Sequence, residues 1–211
     1  MQLYYSPLAC SMATRIALYE AGADATYTEV DPKTKLTLDG ADFRDINPLG
    51  LVPTLRTDDG DILTENAAIL QYVASRLPDA HLAPTGGRQL SQLQQWLCFI
   101  GTELHKGLFS PLLDPKAPEE AKAYAIGKGQ SRLAYLEKYL TGRQYLLDSF
   151  SVADAYLAVV LGWSVVTPID LKSWPAISAY LERVRARPSV ARAFSEERAL
   201  YAKELARHDK A

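Results

Sequence analysis

Cysteine is nearly missing from this 211-residue chain: there are two, Cys10 and Cys98, too far apart in sequence to suggest a disulfide framework. Histidine is almost as scarce. His81, His105 and His208 stand at no metal-ligand spacing from one another or from the cysteines, so no metal centre is expected. Neither sign of charge dominates, with 23 basic and 25 acidic residues and a net charge of -2. Such a chain has no cationic field for a phosphate backbone or an anionic lipid surface, and nucleic acid is not an expected partner. A long hydrophobic run is also absent: the most apolar stretch, residues 155–166, falls well short of the roughly 20 residues that cross a bilayer. The N-terminus lacks a charged region followed by an apolar core, so no secretion signal is expected, and the thiols are expected to stay reduced in a cytoplasm.

What the chain does have is core material, at 48% hydrophobic residues, enough for one large domain or two modest ones. Residues 2–5 form a short strand pattern. Residues 11–21 carry Met12, Ile16 and Tyr19 at helical spacing before Gly22, and residues 26–30 are β-branched and aromatic. This predicts a β-α-β unit with parallel strands. One helical turn is expected over residues 42–46, then a hairpin over residues 54–63 turning at Asp58-Asp59-Gly60, then a helix over residues 65–77 capped by Thr64. Residues 79–87, rich in proline and glycine, read as a linker. Beyond it strand signals nearly vanish. The spacing of Leu90, Leu93, Leu97, Ile100, Leu104 and Leu108 predicts one long helix over residues 88–114. A second is expected from Pro118 to residue 140, and an apolar one, buried on every side, runs to residue 166 behind the capping box Ser151-Val152-Ala153-Asp154. Two further helices follow, one starting at Trp174-Pro175 and one over residues 189–207. The expected organisation is a small α/β domain over residues 1–78 and an all-helical domain over residues 88–211.

Several residues carry chemistry in this frame. Cys10 falls at the start of the first helix, where unpaired backbone N–H groups and the helix dipole favour a thiolate. Its plainer reading is a small core residue. Val52-Pro53 stands just ahead of the hairpin; loop geometry explains the proline, while an extended Val52 also offers its backbone to a peptide-like ligand at the sheet edge. Glu65-Asn66 opens a helix and needs no role beyond capping, yet a helix N-terminus with an amide donor suits a carboxylate and Glu65 suits an ammonium. Cys98, Thr102 and His105, with Lys106 beside them, recur at helical spacing off the leucine seam. They read either as a solvated face or as a stripe facing a ligand cleft.

Taken together, Tyr4-Tyr5-Ser6-Pro7 with Cys10-Ser11, Asn47-Pro48-x-Gly50-x-Val52-Pro53, Leu63-Thr64-Glu65-Asn66-x-Ala68-Ile69, Glu103-Leu104-His105-Lys106 and Ser151-Val152-Ala153-Asp154-Ala155-Tyr156 resemble the thioredoxin-like glutathione transferases, most closely the bacterial beta class. The resemblance spans the whole chain. It implies a thioredoxin-like α/β domain that binds glutathione and an α-helical bundle domain that roofs a hydrophobic co-substrate site. It implies a catalytic set of Cys10, Ser11, Tyr5 and His105. Glutathione is to be bound by Lys35, Val52, Pro53 (as a cis proline), Glu65, Asn66, Thr102 and Lys106, with Ser151 and Asp154 structural. Glutathione would be a co-substrate, with no other cofactor, and the chain would be a homodimer. The family often has asparagine where this chain has Cys98, proline where it has Thr14 and serine where it has Thr102.

The function this implies is conjugation of reduced glutathione to small hydrophobic electrophiles, a detoxifying transferase activity. A thiolate gains about 1–2 kcal/mol from a helix end, so further hydrogen bonds must contribute to its activation. One alternative is a thiol reductase, peroxidase or reductive dehalogenase working through a Cys10–glutathione mixed disulfide. Another is a non-catalytic binding protein for apolar molecules.

Overall fold

In the computed structural model, which describes residues 1–209, the chain divides into two compact units. One takes residues 1–82 together with the last helix; the other takes residues 83–187. The expected second domain ran from residue 88 to the C-terminus, whereas the last helix packs on the α/β unit.

The first unit opens with strand β1 (Gln2–Tyr5), helix α1 (Met12–Glu20) and strand β2 (Thr26–Glu29), with β1 and β2 parallel and Leu3 opposite Tyr27. A single 3-10 turn at Phe43–Asp45 follows, capped by the Asp42 carboxylate, which accepts from Arg44 N–H at 2.9 Å. Strands β3 (Thr54–Arg56) and β4 (Ile62–Thr64) then form the expected hairpin, with Gly60 at φ +91° in the turn. The sheet order is β2-β1-β3-β4, antiparallel beyond β1. Successive residues of β1 face opposite ways. Leu3 joins a core with Ile16, Leu18, Leu55, Ile69, Leu70 and Val73, all without exposure, each worth about 1.5–3 kcal/mol of apolar burial. Tyr4 packs instead with Val30 and Phe43, flanked by Ile46 and Val52.

Helix α2 (Asn66–Arg76) begins one residue later than the sequence suggests. Thr64 is spent as the last residue of β4 and does not cap it. Glu65 occupies the cap position at φ +65° and makes no side-chain cap bond.

The second unit begins with α3 (Gly87–Phe99). The single long helix expected over residues 88–114 is instead interrupted by a π-helical stretch, Ile100–Phe109, before the short α4 (Ser110–Leu113). Pro111 supplies no N–H to the ladder, and ahead of it the bonding has widened, with Ser110 N–H reaching the His105 carbonyl. Helix α5 (Glu119–Leu140) packs on this stretch through Gly129, where a Cβ would stand 2.5 Å from Leu108 Cδ1. Any larger residue there would force the Leu108 side chain to shift.

Helix α6 (Val152–Gly162) is buried over its full length, as its composition demands. It stops short of the expected end: residues 163–166 form a 3-10 turn, and Val165 and Val166 are 74% and 70% exposed. The Ser151–Asp154 capping box is present in both directions. Asp154 also accepts from Leu146 N–H at 2.9 Å and from Tyr180 Oη at 2.8 Å, the latter on α7 (Pro175–Arg185). Glu137 of α5 caps α7 in turn, accepting from Ala176 and Ile177 N–H at 2.8 and 3.0 Å. Helix α8 (Pro188–His208) closes the chain on the first unit. Among the described residues no helix is long and apolar enough to cross a membrane.

Candidate active site

In the first unit three chain segments meet at Cys10. The loop from β1 to α1 brings Cys10 to within two residues of the helix, and its carbonyl takes the Ala13 N–H at 3.1 Å, so the turn has begun before Met12. Cys10 Sγ donates to the Val52 carbonyl at 3.4 Å. Asn66 Nδ2, at the start of α2, donates to the Cys10 carbonyl at 2.8 Å, while its Oδ1 accepts from Thr14 Oγ1 at 3.3 Å. Asn66 is thereby a brace for the thiol loop. Thr14 matters in that brace: a proline at this position would have no hydroxyl to give Asn66.

The Val52 segment is held as firmly. The Val52-Pro53 bond is cis. Asn47 Nδ2 donates to the Leu51 carbonyl at 2.8 Å and to Thr54 Oγ1 at 3.1 Å, and its Oδ1 accepts from Leu49 N–H. Gly50 sits at φ +59°, and Lys35, at φ +63°, lays its stem across it, with Cδ 3.3 Å from where a Cβ would be. Lys35 therefore packs on the loop that leads from Asn47 to Val52. Ser11 is fully buried, and its hydroxyl is engaged with Ser6 N–H and the Ser6 carbonyl, both at 3.3 Å. It fixes the loop's shape from inside. Glu65 stands exposed at the head of α2.

Beneath the loop lies a group of residues that pattern reading did not single out. Glu197 of α8, without exposure, accepts from Leu8 N–H at 2.7 Å and from Arg15 Nε at 2.8 Å. Leu8 is itself at φ +60°, two residues before Cys10. The Arg15 guanidinium lies 4.2 Å over the Tyr5 ring and 4.3 Å over the Tyr27 ring, and its Nη2 has no hydrogen-bond partner. Burial pushes the Glu197 carboxyl up to about 7 against the pull of Arg15 and of Leu8 N–H. Burial likewise raises the Tyr5 phenol, with Arg15 opposing, so Tyr5 is neutral at physiological pH. One signal in the sequence pointed here: a lone arginine inside the apolar run Met12 to Leu18.

Thr102, His105 and Lys106 lie in the second unit, on the π-helical stretch. His105 Nδ1 is 2.7 Å from Tyr156 Oη, and its ring meets Trp163 edge-on at 5.0 Å. Burial, with Lys106 adding repulsion, lowers its pKa to about 4, so the imidazole is neutral at neutral pH. Thr102 donates back to the Cys98 carbonyl at 3.0 Å. Cys98 is exposed, not the small buried residue its type suggests, and neither cysteine is in a disulfide. Ser151 and Asp154 serve the α6 terminus described above. Among the described residues no group of three or more His, Cys, Asp or Glu side chains is arranged to hold a metal.

Comparison with known proteins bears on this arrangement directly. The family model described as "Glutathione S-transferase, N-terminal domain" matches residues 9–76, and that described as "Glutathione S-transferase, C-terminal domain" matches residues 90–188. Glutathione S-transferase GstA of Escherichia coli O157:H7 is 40% identical over 93% of this chain and 98% of its own length. A sphingomonad glutathione S-transferase solved in complex with glutathione superposes with a TM-score of 0.89 at 45% identity, covering 93% of this chain and 98% of that one. The bacterial beta-class enzyme of Sphingomonas chungbukensis has the same TM-score and coverage at 43% identity. Two domain matches in order and full-length relatives of this identity establish that the chain belongs to the glutathione S-transferase family.

Proposed function

We propose that this transferase binds reduced glutathione on its first unit and conjugates it to small hydrophobic electrophiles. The observation that carries the reading is the Cys10 thiol 3.4 Å from the Val52 carbonyl, which brings the head of α1 and the half-buried Val52 backbone edge into one site. A peptide is recognised at such an edge by main-chain pairing. On this reading Val52, ahead of Pro53, pairs with the tripeptide backbone. Glu65 takes the γ-glutamyl ammonium, and the N-terminus of α2 takes its carboxylate. Lys35 neutralises a second carboxylate, and Asn66 and Ser11 keep the loop in shape.

The glutathione sulfur, held near Cys10 and the start of α1, is the nucleophile. Its thiol pKa falls through the helix-end field, and holding it against the electrophile supplies the rest of the acceleration. Tyr5, a neutral phenol, is proposed as an orienting donor. Thr102, His105 and Lys106 are carried on the resemblance, as the second unit's contribution to catalysis. The working form is proposed as a homodimer, for which the exposed Tyr135, with the half-buried Phe99 edge-on against it, offers apolar surface on the second unit. Light scattering on the purified protein tests that.

Calorimetric titration with glutathione, followed by turnover with an activated aryl halide, tests the main reading. Saturable binding and a conjugate are expected; no binding at millimolar glutathione overturns it. Cys10→Ala separates the redox alternative, because conjugation is expected to survive it. If conjugation survives and a measurable disulfide reductase activity is lost, Cys10 carries a second, redox reaction.

A further inference from the structure

The last turn of α8 reaches the end of β2. Arg207 pairs with Glu29, and the His208 ring meets Asp31, Nε2 to Oδ2, at 2.7 Å. Both side chains of the second pair are only 14% exposed, so solvent screens the contact little. An ionised carboxylate only accepts, so Nε2 of His208 carries the donated proton. Burial alone would raise the Asp31 carboxyl, yet the Thr34 N–H, the His208 ring and the Lys33 N–H together bring it down to about 2.

Asp31 does more than hold the helix end. Its Oδ1 accepts from Lys33 N–H at 2.8 Å and from Thr34 N–H at 3.0 Å, and its carbonyl accepts from Lys35 N–H at 2.9 Å. Its own N–H donates to the Leu36 carbonyl at 2.9 Å. Residues 31–36 thus close into a turn organised on one aspartate, and that turn holds Lys35 at φ +63° with its stem on Gly50. Asp31 has two carboxylate oxygens, one spent on the turn and one on His208. If His208 is removed, Asp31 loses that donor while Glu204, one helical turn earlier and buried with an unpartnered Oε2, and Glu29 remain near it, with Arg207 paired to Glu29. Repulsion then works on the very residue that shapes the turn.

We infer that His208 is a positioning residue for glutathione binding: through Asp31 it fixes the turn that seats Lys35 on Gly50, in the loop that leads to Val52. The inference rests on the proposed role of Lys35 toward glutathione. It gives the C-terminal helix a part in substrate affinity from a place outside the site itself.

Steady-state kinetics on the full chain, with glutathione varied at saturating electrophile, test it in His208→Ala, His208→Gln, Lys35→Ala and the double variant His208→Ala/Lys35→Ala. Loss of a charge-assisted bond predicts a rise in KM for glutathione of about tenfold in His208→Ala, with kcat unchanged within about twofold. His208→Gln, whose amide can still donate to Asp31, is expected to restore KM. The double variant is expected to be no worse than Lys35→Ala alone. If His208→Ala does not fold, His208→Phe fills the space without a donor and carries the same expectation. A KM unchanged by His208→Ala or His208→Phe, while Lys35→Ala raises it, overturns the inference and leaves the role of Lys35 intact. A KM unchanged by Lys35→Ala removes that role, and the route from His208 with it. Full additivity in the double variant also overturns it.

Discussion

Replacing Glu197 tests how far the thiol loop depends on the last helix. Glu197→Ala removes the acceptor of Leu8 N–H and the counter-charge of Arg15, whose side chain is 4% exposed and whose next acid, Glu196, stands at 3.7 Å. Above pH 7, where the Glu197 carboxyl is ionised, stripping one partner from a buried ion pair costs about 3–5 kcal/mol, because the remaining charge loses its nearest counter-charge. For a chain of this length that corresponds to a fall in Tm of about 6–20 °C, read by calorimetry or circular dichroism. Glu197→Gln is the finer probe, since it keeps an acceptor but does not titrate. With a folded pKa of about 7 against an ordinary 4.5, Glu197 binds its proton more tightly in the folded state. That contribution is complete below pH 4.5 and is lost as the pH rises through 7, a change of about 3 kcal/mol. The glutamine variant should therefore gain on the wild type by about that much from pH 4.5 to 7.5 in urea melts. An alanine variant within about 1 kcal/mol of wild type, or a gap between glutamine and wild type that does not move with pH, refutes the reasoning.

Two further outcomes follow from the second unit. Asp154→Ala is expected to leave Leu146 N–H, Ser151 N–H and Tyr180 Oη buried without an acceptor, at a cost of about 4 kcal/mol or more. Asp154→Asn, which retains one acceptor oxygen, should lose less in the same melts. His105 is expected to titrate near 4 in a ring-proton NMR titration and to stay neutral through the physiological range, so no inflection of activity near 6.5 belongs to it. The same depressed value favours folding above 6.5 and loses that advantage as pH falls through 4. A midpoint near 6.5 would show that the ring is not buried against Tyr156 and Trp163.

The local elements were legible because each rests on neighbours in sequence. The β1-α1-β2 start shows as a change of period from two to three or four. The 54–63 hairpin shows in Gly60, and the α6 terminus in Ser151 and Asp154, whose reciprocal bonds span only three residues. The motifs quoted above fixed the family for the same reason. Where pattern failed, something distant intervened. Thr64 has the right side chain for a cap but is claimed by pairing with Thr54, and the long helix widens into a π stretch that the leucine spacing does not reveal.

Most of the elements, their order and the place of a thiol near a helix start follow from the sequence alone, because each rests on neighbours along the chain. Tertiary structure alone decided what surrounds that thiol. Nothing in the spacing of Cys10, Val52 and Asn66 says that a sulfur, a carbonyl and an amide converge, and nothing places Glu197 under Leu8, 189 residues away. A charge on a helix reads as solvated until its partner is known. Arg15, Glu197, Asp31 and His208 acquired their roles only when α8 folded back on the α/β unit, because burying an ionised group is tolerable only where an opposite charge or a donor meets it.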